Sequence, residues 1–376
     1  MAHIRRAESI ELPLQGGINM NRSVKWQKIA LSVLCVVLAL VLVLLIFATT
    51  YVHYLLGRLG RVDPDEEQTL SPEDLATATE SLDPDYTGDV VDPTDIVIDT
   101  VLPTDPSQGQ QNKNPDVINI LLVGQDRREG EPRQRSDVMM LCTFNTAKNT
   151  ITMTSFLRDS FVYIPGYGNR KLNSAYQLGG FGKLNETMAV NFGVHVDANI
   201  EVDFFGFAKV IDLLGGVDIT LTKAEADYMN EWGAANYGSS WKLKAGANRL
   251  NGDQALTYSR IRYVSTSSGT KNDFGRTERQ RAVISALINA YKNQSLTNML
   301  GLVDDILPLV TTNMTDAEIL GYVVELFPML SGATITTQAI PAKGMYSDKY
   351  VSGIGSVLVL DLPAIRSELD VLFATK

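Results

Sequence analysis

The sequence predicts an α/β (α+β) layered domain with a central mixed β-sheet flanked by helices, preceded by one transmembrane helix. Three observations lead there. Residues Ile29 to Thr50 form an apolar run with no charge in it. An acidic, proline-punctuated stretch follows. From Val117 onward, β-rich and helical patterns mix without strict βαβ alternation and without an internal repeat.

Some 20 apolar residues rising about 1.5 Å each cross a hydrocarbon core roughly 30 Å thick. On the N-terminal side of the run stand Arg5, Arg6, Arg22, Lys25 and Lys28, against only Glu8 and Glu11. The positive-inside bias makes residues 1–28 a cytoplasmic tail, 29–52 the transmembrane helix, and everything after Tyr51 extracytoplasmic. A cleaved signal peptide is the rival. The run exceeds a signal h-region of roughly 7–15 residues, and no clear small-x-small site follows it.

Residues 63–116 contain fifteen acidic residues and one basic residue, Lys113, with repeated Asp-Pro and Pro-Thr-Asp steps. Such a composition cannot bury enough apolar surface to offset its ordering entropy. It reads as a disordered, self-repelling stalk. The other reading, a cation-binding tract, lacks any fixed ligand geometry.

The stalk carries −14 and residues 1–62 carry +5, so the total of −10 leaves about −1 for residues 117–376. A nearly neutral domain argues against nucleic acid as a partner. Cys35 lies in the apolar run and Cys142 in a predicted strand, so neither a disulfide framework nor a zinc site is formed. His3, His53 and His195 are far apart in sequence, so a metal would need oxygen ligands.

Within the domain, VINILLVG and SDVMMLCTF read as strands flanking a charged loop, and TITMTSFL as a third strand ending at Arg158-Asp159. Paired as a meander, they bring Asp126, Asp137 and Arg158 to one rim of the sheet. A Gly-rich connection leads to a helix near Phe181–Asn191. IEVDFFGF reads as a strand, AKVIDLLGG as a helix, VDITL as a strand and NGDQALTYSR as a short helix. A longer helix spans about Arg276 to Lys292. Amphipathic segments at 298–311 and 315–330, a strand at TITTQAI and a helix from Pro363 complete the chain.

Two carboxylates on one rim repel unless a cation lies between them, and Mg²⁺ takes a few carboxylates with phosphate oxygens and water. Solvated loop acids are the alternative for Asp126 and Asp137 alone. The arginines add weight: Arg135, Arg158, the alternating Arg260 and Arg262 of SRIRY, and Arg276 and Arg279 opening the long helix with Gln280 beside them. Spacings of three and four put these helix residues on one face. Guanidinium forks grip phosphate oxygens in pairs, and a helix N-terminus adds free N–H groups. Singly, each arginine reads equally as a surface ion pair. No P-loop, nucleophile elbow or cysteine–histidine couple competes.

The stretches INILLVGQDRR, RQRSDVMMLCTF, TSFLRDSFVYIPGYGNRKLNSAY, FFGFAKVIDLLGGVDI, LNGDQALTYSRIRY and DFGRTERQRAVI together resemble the LytR-CpsA-Psr (LCP) phosphotransferases of bacterial cell envelopes. The resemblance implies an enzyme that moves a glycopolymer, teichoic acid or capsule, from an undecaprenyl-pyrophosphate carrier onto peptidoglycan. It implies Mg²⁺, or Mn²⁺ in its place, held by Asp126 and Asp137. Arg135, Arg158, Arg260, Arg262, Arg276 and Arg279 would grip the pyrophosphate with Gln280 assisting. Lys171, Asn173, Asp159 and Asp273 fall where the family keeps polar site residues, and either aspartate could take the acceptor proton. The lipid tail would occupy an apolar tunnel whose residues the sequence does not single out. One departure is Leu157, where a proline commonly precedes the arginine. The rivals are a pyrophosphatase, a non-catalytic polyprenyl-lipid-binding protein, and a tethered transcriptional regulator, for which residues 1–28 are too short.

Overall fold

The structure is a computed structural model that describes residues 49–62, 89–101, 114–126, 133–238, 240–292, 302, 304–326, 328–329 and 332–374. The chain divides into two compact units, Met1–Tyr54 and Leu55–Lys376. Of the first, residues 49–54 are described and are helical. The expected tail, and the apolar run up to residue 48, lie outside the described residues. Among the described residues no helix is long and apolar enough to cross a membrane.

The second unit is built on a seven-stranded mixed sheet. Its long strands are β1 (Val117–Gln125), β2 (Ser136–Asn145) and β3 (Thr150–Phe156). A hairpin of β4 (Ser160–Ile164) and β5 (Gly168–Lys171) follows, then helix α1 (Asn173–Phe192). Next come β6 (Ala198–Asp203), α2 (Phe204–Leu213), β7 (Val217–Leu221), α3 (Lys223–Tyr237), β8 (Gly246–Leu250), α4 (Gly252–Arg260) and α5 (Asn272–Lys292). The chain closes with α6 (Asp316–Leu326), β9 (Thr334–Ile340), β10 (Tyr346–Val351), β11 (Gly355–Leu360) and α7 (Leu362–Phe373). Two-residue strands at Gly60–Arg61 and Thr311–Thr312 border β6, so the sheet order is Gly60–Arg61, Thr311–Thr312, β6, β1, β2, β3, β9. A five-stranded sheet runs Val90–Val91, β10, β11, β4, β5, and β7 with β8 forms a separate hairpin.

Successive side chains of a strand point to opposite faces. In β1, Leu121 and Val123 enter the core with Leu184 and Met188 of α1 and Ile365 of α7. Ile118 and Ile120 face the other way, with Ile319 of α6. On that second face Met140 and Cys142 of β2 meet Ile284 and Ile288 of α5. Strands covered on both faces read as continuous apolar runs, and VINILLVG and SDVMMLCTF do. The Cys142 thiol is buried, which pushes its pKa up to about 12.

The meander β1–β2–β3 and the strands at VDITL and TITTQAI stand where the sequence puts them. Elsewhere the structure differs. Helix α1 starts eight residues before the expected Phe181, because a break at Gly179–Gly180, where Gly180 has φ 56°, joins two helical pieces. IEVDFFGF is divided between β6 and α2, with Asp203 capping the helix at Gly206 N. Helix α3, hairpin strand β8 and the β10–β11 pair are additions. Part of the expected stalk is a correction too: residues 89–101 lie on the domain. Val90–Val91 pairs in parallel with β10, and Arg366 binds the carbonyl and carboxylate of Asp99. Acidic composition did not prevent order here, because backbone pairing and one arginine supply partners.

Leu121 is fully buried between α1 and its sheet neighbours. Leu121→Ala should lower the unfolding free energy by about 2–5 kcal/mol, measured by chemical denaturation.

Candidate functional site

Antiparallel pairing sets Gln125 at the end of β1 opposite Ser136 at the start of β2, and β3 returns beside β2 to deliver Arg158. Gln125 also holds the rim loop. Its Oε1 accepts from Gln134 N at 3.0 Å, and its Nε2 donates to buried Glu201, which also accepts from Tyr176 Oη. Asp126, Arg135, Asp137, Arg158, Asp159, Lys171 and Asn173 therefore border one polar pocket of about 520 Å³. Arg158 Nη1 donates to Asp137 Oδ1 at 2.7 Å. The Leu157 N–H donates to Ile340 O at 2.9 Å, a bond that a proline at this position could not make.

Helix α5 delivers Asp273 and Arg276 to the same rim. Asp273 is gripped by Arg158 Nε at 3.2 Å, Arg276 Nη2 at 3.3 Å and Arg262 Nε at 3.4 Å. Burial pushes its carboxyl up, but Arg276, a hydrogen bond from Asp159, Arg158 and Arg262 outweigh it and hold the pKa below the usual value. Asp159 shifts the opposite way. Burial first, then its hydrogen bond to Asp273, raises its pKa against the pull of Arg158 and of Lys171 at 3.4 Å. Of the two, Asp159 is the carboxyl that releases its proton at the higher pH. Arg158 is held above its ordinary pKa: Asp273, Asp159 and Asp137 outweigh its burial.

Arg276 is the exception in this cluster. It is 3% exposed, and its Nε has no hydrogen-bond partner among the described residues. Burial brings its pKa down to about 10, with Asp273 opposing and Arg158 and Arg262 adding to the fall. A buried guanidinium beside two others, with an unused donor, is short of negative charge. An anion would correct that.

A second cavity, of about 470 Å³, adjoins this cluster. Its floor is the even-numbered face of the sheet, with Leu122 of β1, Met140 of β2 and Ile200 of β6. Its walls include Phe207 of α2, Trp232 of α3 and Ile284 of α5. Asp137, Arg260, Arg262, Arg276 and Gln280 line it as well, and Asp137 borders both cavities. Arg260 lies 4.8 Å over the Phe204 ring and 3.4 Å from Asp126 Oδ2. It is placed by α4, which Asn251 and Gln254 cap reciprocally and whose Gly252 lies against the Ala208 carbonyl too closely for a Cβ. Phe204, Tyr228 and Trp232 escaped the sequence reading. The stacked i,i+4 pair Tyr228–Trp232 in α3 was their one signal.

Arg279 corrects the expectation. It lines neither cavity and is fully buried. Its Nε donates to Glu225 Oε1 at 2.8 Å, and its Nη1 and Nη2 donate to the carbonyls of Ile261 and Val264 at 3.0 and 2.7 Å. Three-residue spacing gives Arg276 and Arg279 neighbouring faces, but the 261–264 loop covers the second. Glu225 also closes the capping box of α3 with Thr222. Arg279 thus ties α3 to the loop that presents Arg262.

Among the described residues no group of three or more His, Cys, Asp or Glu could hold a metal. Asp126 and Asp137 do share the polar pocket. Two carboxylates fit a Mg²⁺ that takes its remaining oxygens from phosphate and water.

A cluster of arginines with one buried member, Arg276, borders an apolar cavity. The chain belongs to the LytR_cpsA_psr family, whose model matches residues 95–365. It is 34% identical over 265 residues to the regulatory protein MsrR of Staphylococcus aureus, covering 69% of this chain and 76% of that one. It is 32% identical over 270 residues to the polyisoprenyl-teichoic acid–peptidoglycan teichoic acid transferase TagU of Oceanobacillus iheyensis, covering 69% and 77%. Among solved structures, TagT bound to LIIa-WTA matches with 26% identity and a TM-score of 0.55, covering 73% of this chain and 94% of that one.

Arg279→Ala, which strands a buried Glu225, should cost about 3–5 kcal/mol of stability. Thermal and denaturant unfolding check this. A variant of unchanged stability that loses only ligand affinity would return Arg279 to the binding site.

Proposed function

We propose that this protein is a phosphotransferase that moves a glycopolymer from an undecaprenyl-pyrophosphate carrier onto peptidoglycan. The single observation that carries the reading is Arg276. It is buried, short of negative charge, and borders the apolar cavity beside Asp137, which the polar pocket shares. A polyprenyl pyrophosphate has the matching parts, an apolar tail and a dianionic head. The similarity to TagU, a polyisoprenyl-teichoic acid–peptidoglycan teichoic acid transferase, and to TagT in complex with LIIa-WTA supports the same class of donor and acceptor. In this reading the apolar run Ile29–Thr50 anchors the chain in the cell membrane by a single span, with the N-terminus cytoplasmic and the domain outside.

Arg158, Arg262 and Arg276 neutralise the pyrophosphate, with Arg135, Arg260 and Gln280 around it. Positioning and electrostatics carry most of such a reaction. Asp126 and Asp137 would hold Mg²⁺, which supplies further charge neutralisation. An acceptor hydroxyl oxygen bonds to the glycan-side phosphorus, the bond from that phosphorus to the bridging oxygen breaks, and the electron pair leaves with undecaprenyl phosphate. The hydroxyl proton passes to Asp159. Asp159 is chosen over Asp273 because it lines the polar pocket, while three guanidinium groups occupy Asp273.

Arg276→Ala should reduce transfer by about 10²–10³-fold, assayed as label moved from lipid-linked glycan to peptidoglycan by the full-length protein. Wild-type transfer by this variant, or only free phosphate-terminated polymer from the unaltered protein, would sink the reading.

Asp159 must be deprotonated to accept a proton, so activity falls as pH drops through its raised pKa. The acidic limb of the kcat/KM profile should lie above the ordinary carboxylate range. Asp159→Asn should abolish that limb and cost about 10²–10⁴ in kcat.

A further inference from the structure

The polar pocket has two chemically different kinds of lining. One is charged, with Asp126, Arg135, Asp137, Arg158, Asp159 and Lys171. The other is neutral, with Asn173, Gln177, Tyr350 and Ser356. Within the neutral set two amide oxygens, Asn173 Oδ1 and Gln177 Oε1, are buried with no hydrogen-bond partner among the described residues. An unmet buried polar atom is costly, so two in one cavity call for a ligand that satisfies both. They stand four residues apart on α1 and so on one helix face. The facing wall comes from the second sheet, where Tyr350 and Ser356 are cross-strand partners in β10 and β11.

These four groups offer hydrogen bonds and carry no charge. They suit a sugar ring, whose hydroxyl groups both donate and accept. Direction follows from the displacement. Attacking and leaving oxygens lie roughly in line across the phosphorus. The leaving lipid phosphate belongs with the apolar cavity, so the attacking hydroxyl enters from the polar pocket, where Asp159 also lies.

We infer that Asn173, Gln177, Tyr350 and Ser356 form a subsite for the sugar ring of the acceptor glycan. This rests on the phosphotransferase reading above. The test uses the full-length protein in lipid nanodiscs, a polyprenyl-pyrophosphate-linked disaccharide as donor and a soluble peptidoglycan tetrasaccharide as acceptor. Gln177→Leu removes one amide and should raise the acceptor KM about tenfold, one hydrogen bond's worth, while the donor KM stays. Ser356→Trp, at an exposed strand position on the facing wall, should do the same by filling the pocket. It decides the matter if the first variant does not fold. An unchanged acceptor KM in a folded variant overturns the subsite. So does a rise in donor KM instead, which would give the pocket to the donor's own glycan. If the unaltered protein neither binds the donor nor transfers, the phosphotransferase reading falls and the subsite with it.

Discussion

Three guanidinium groups, those of Arg158, Arg262 and Arg276, converge on the single carboxylate of Asp273. Like charges about 4 Å apart repel by roughly 4 kcal/mol at an effective dielectric near 20, and Asp137 and Asp159 share with Asp273 the task of offsetting them. The fold holds the cluster together by other means. The sheet fixes Arg158 at the end of β3, and α5 fixes Arg276 in its first turns. Arg279, buried against Glu225, fixes the loop that carries Arg262. Arg276 keeps an unused Nε in a buried position, a donor suited to an anion. Preorganised charge of this kind needs no rearrangement when the ligand arrives.

Division of labour between the cavities comes from the alternation of β-strands. The odd-numbered side chains of β1 enter the core under α1 and α7, which keeps that face rigid. The opposite face is only partly covered by α2–α5, and the space left over is the apolar cavity. Asp137, at the second residue of β2, stands where this face ends and the polar pocket begins. An amphiphile straddling that point would have its two halves sorted by solvation alone.

Much of the rim was legible in the sequence because it depends on strand order. Asp126, Asp137 and Arg158 sit at strand ends, so a correct meander brings them together whatever the side-chain details. Arg276 was legible from helix spacing, but Arg279 was not. A sequence shows which residues share a helix face, not which turn a loop will cover. The neutral part of the polar pocket's lining was hidden for a different reason. Tyr350 and Ser356 reach it through a second sheet formed by pairing of distant segments, β11 with β4 and Val90–Val91 with β10, and local pattern carries no trace of such pairing.

The short strand Val90–Val91 has a consequence for how the domain keeps to itself. It occupies the outer side of β10, and Arg366 secures the segment three-quarters of a dozen residues further on, at Asp99. A chain begun at Val117 would lack both and leave Tyr350 and Val351 of β10 on an open edge. Open edges recruit other strands, including those of identical molecules. The acidic segment thus acts as a selvedge: its few backbone bonds cover the edge of β10 at Tyr350 and Val351.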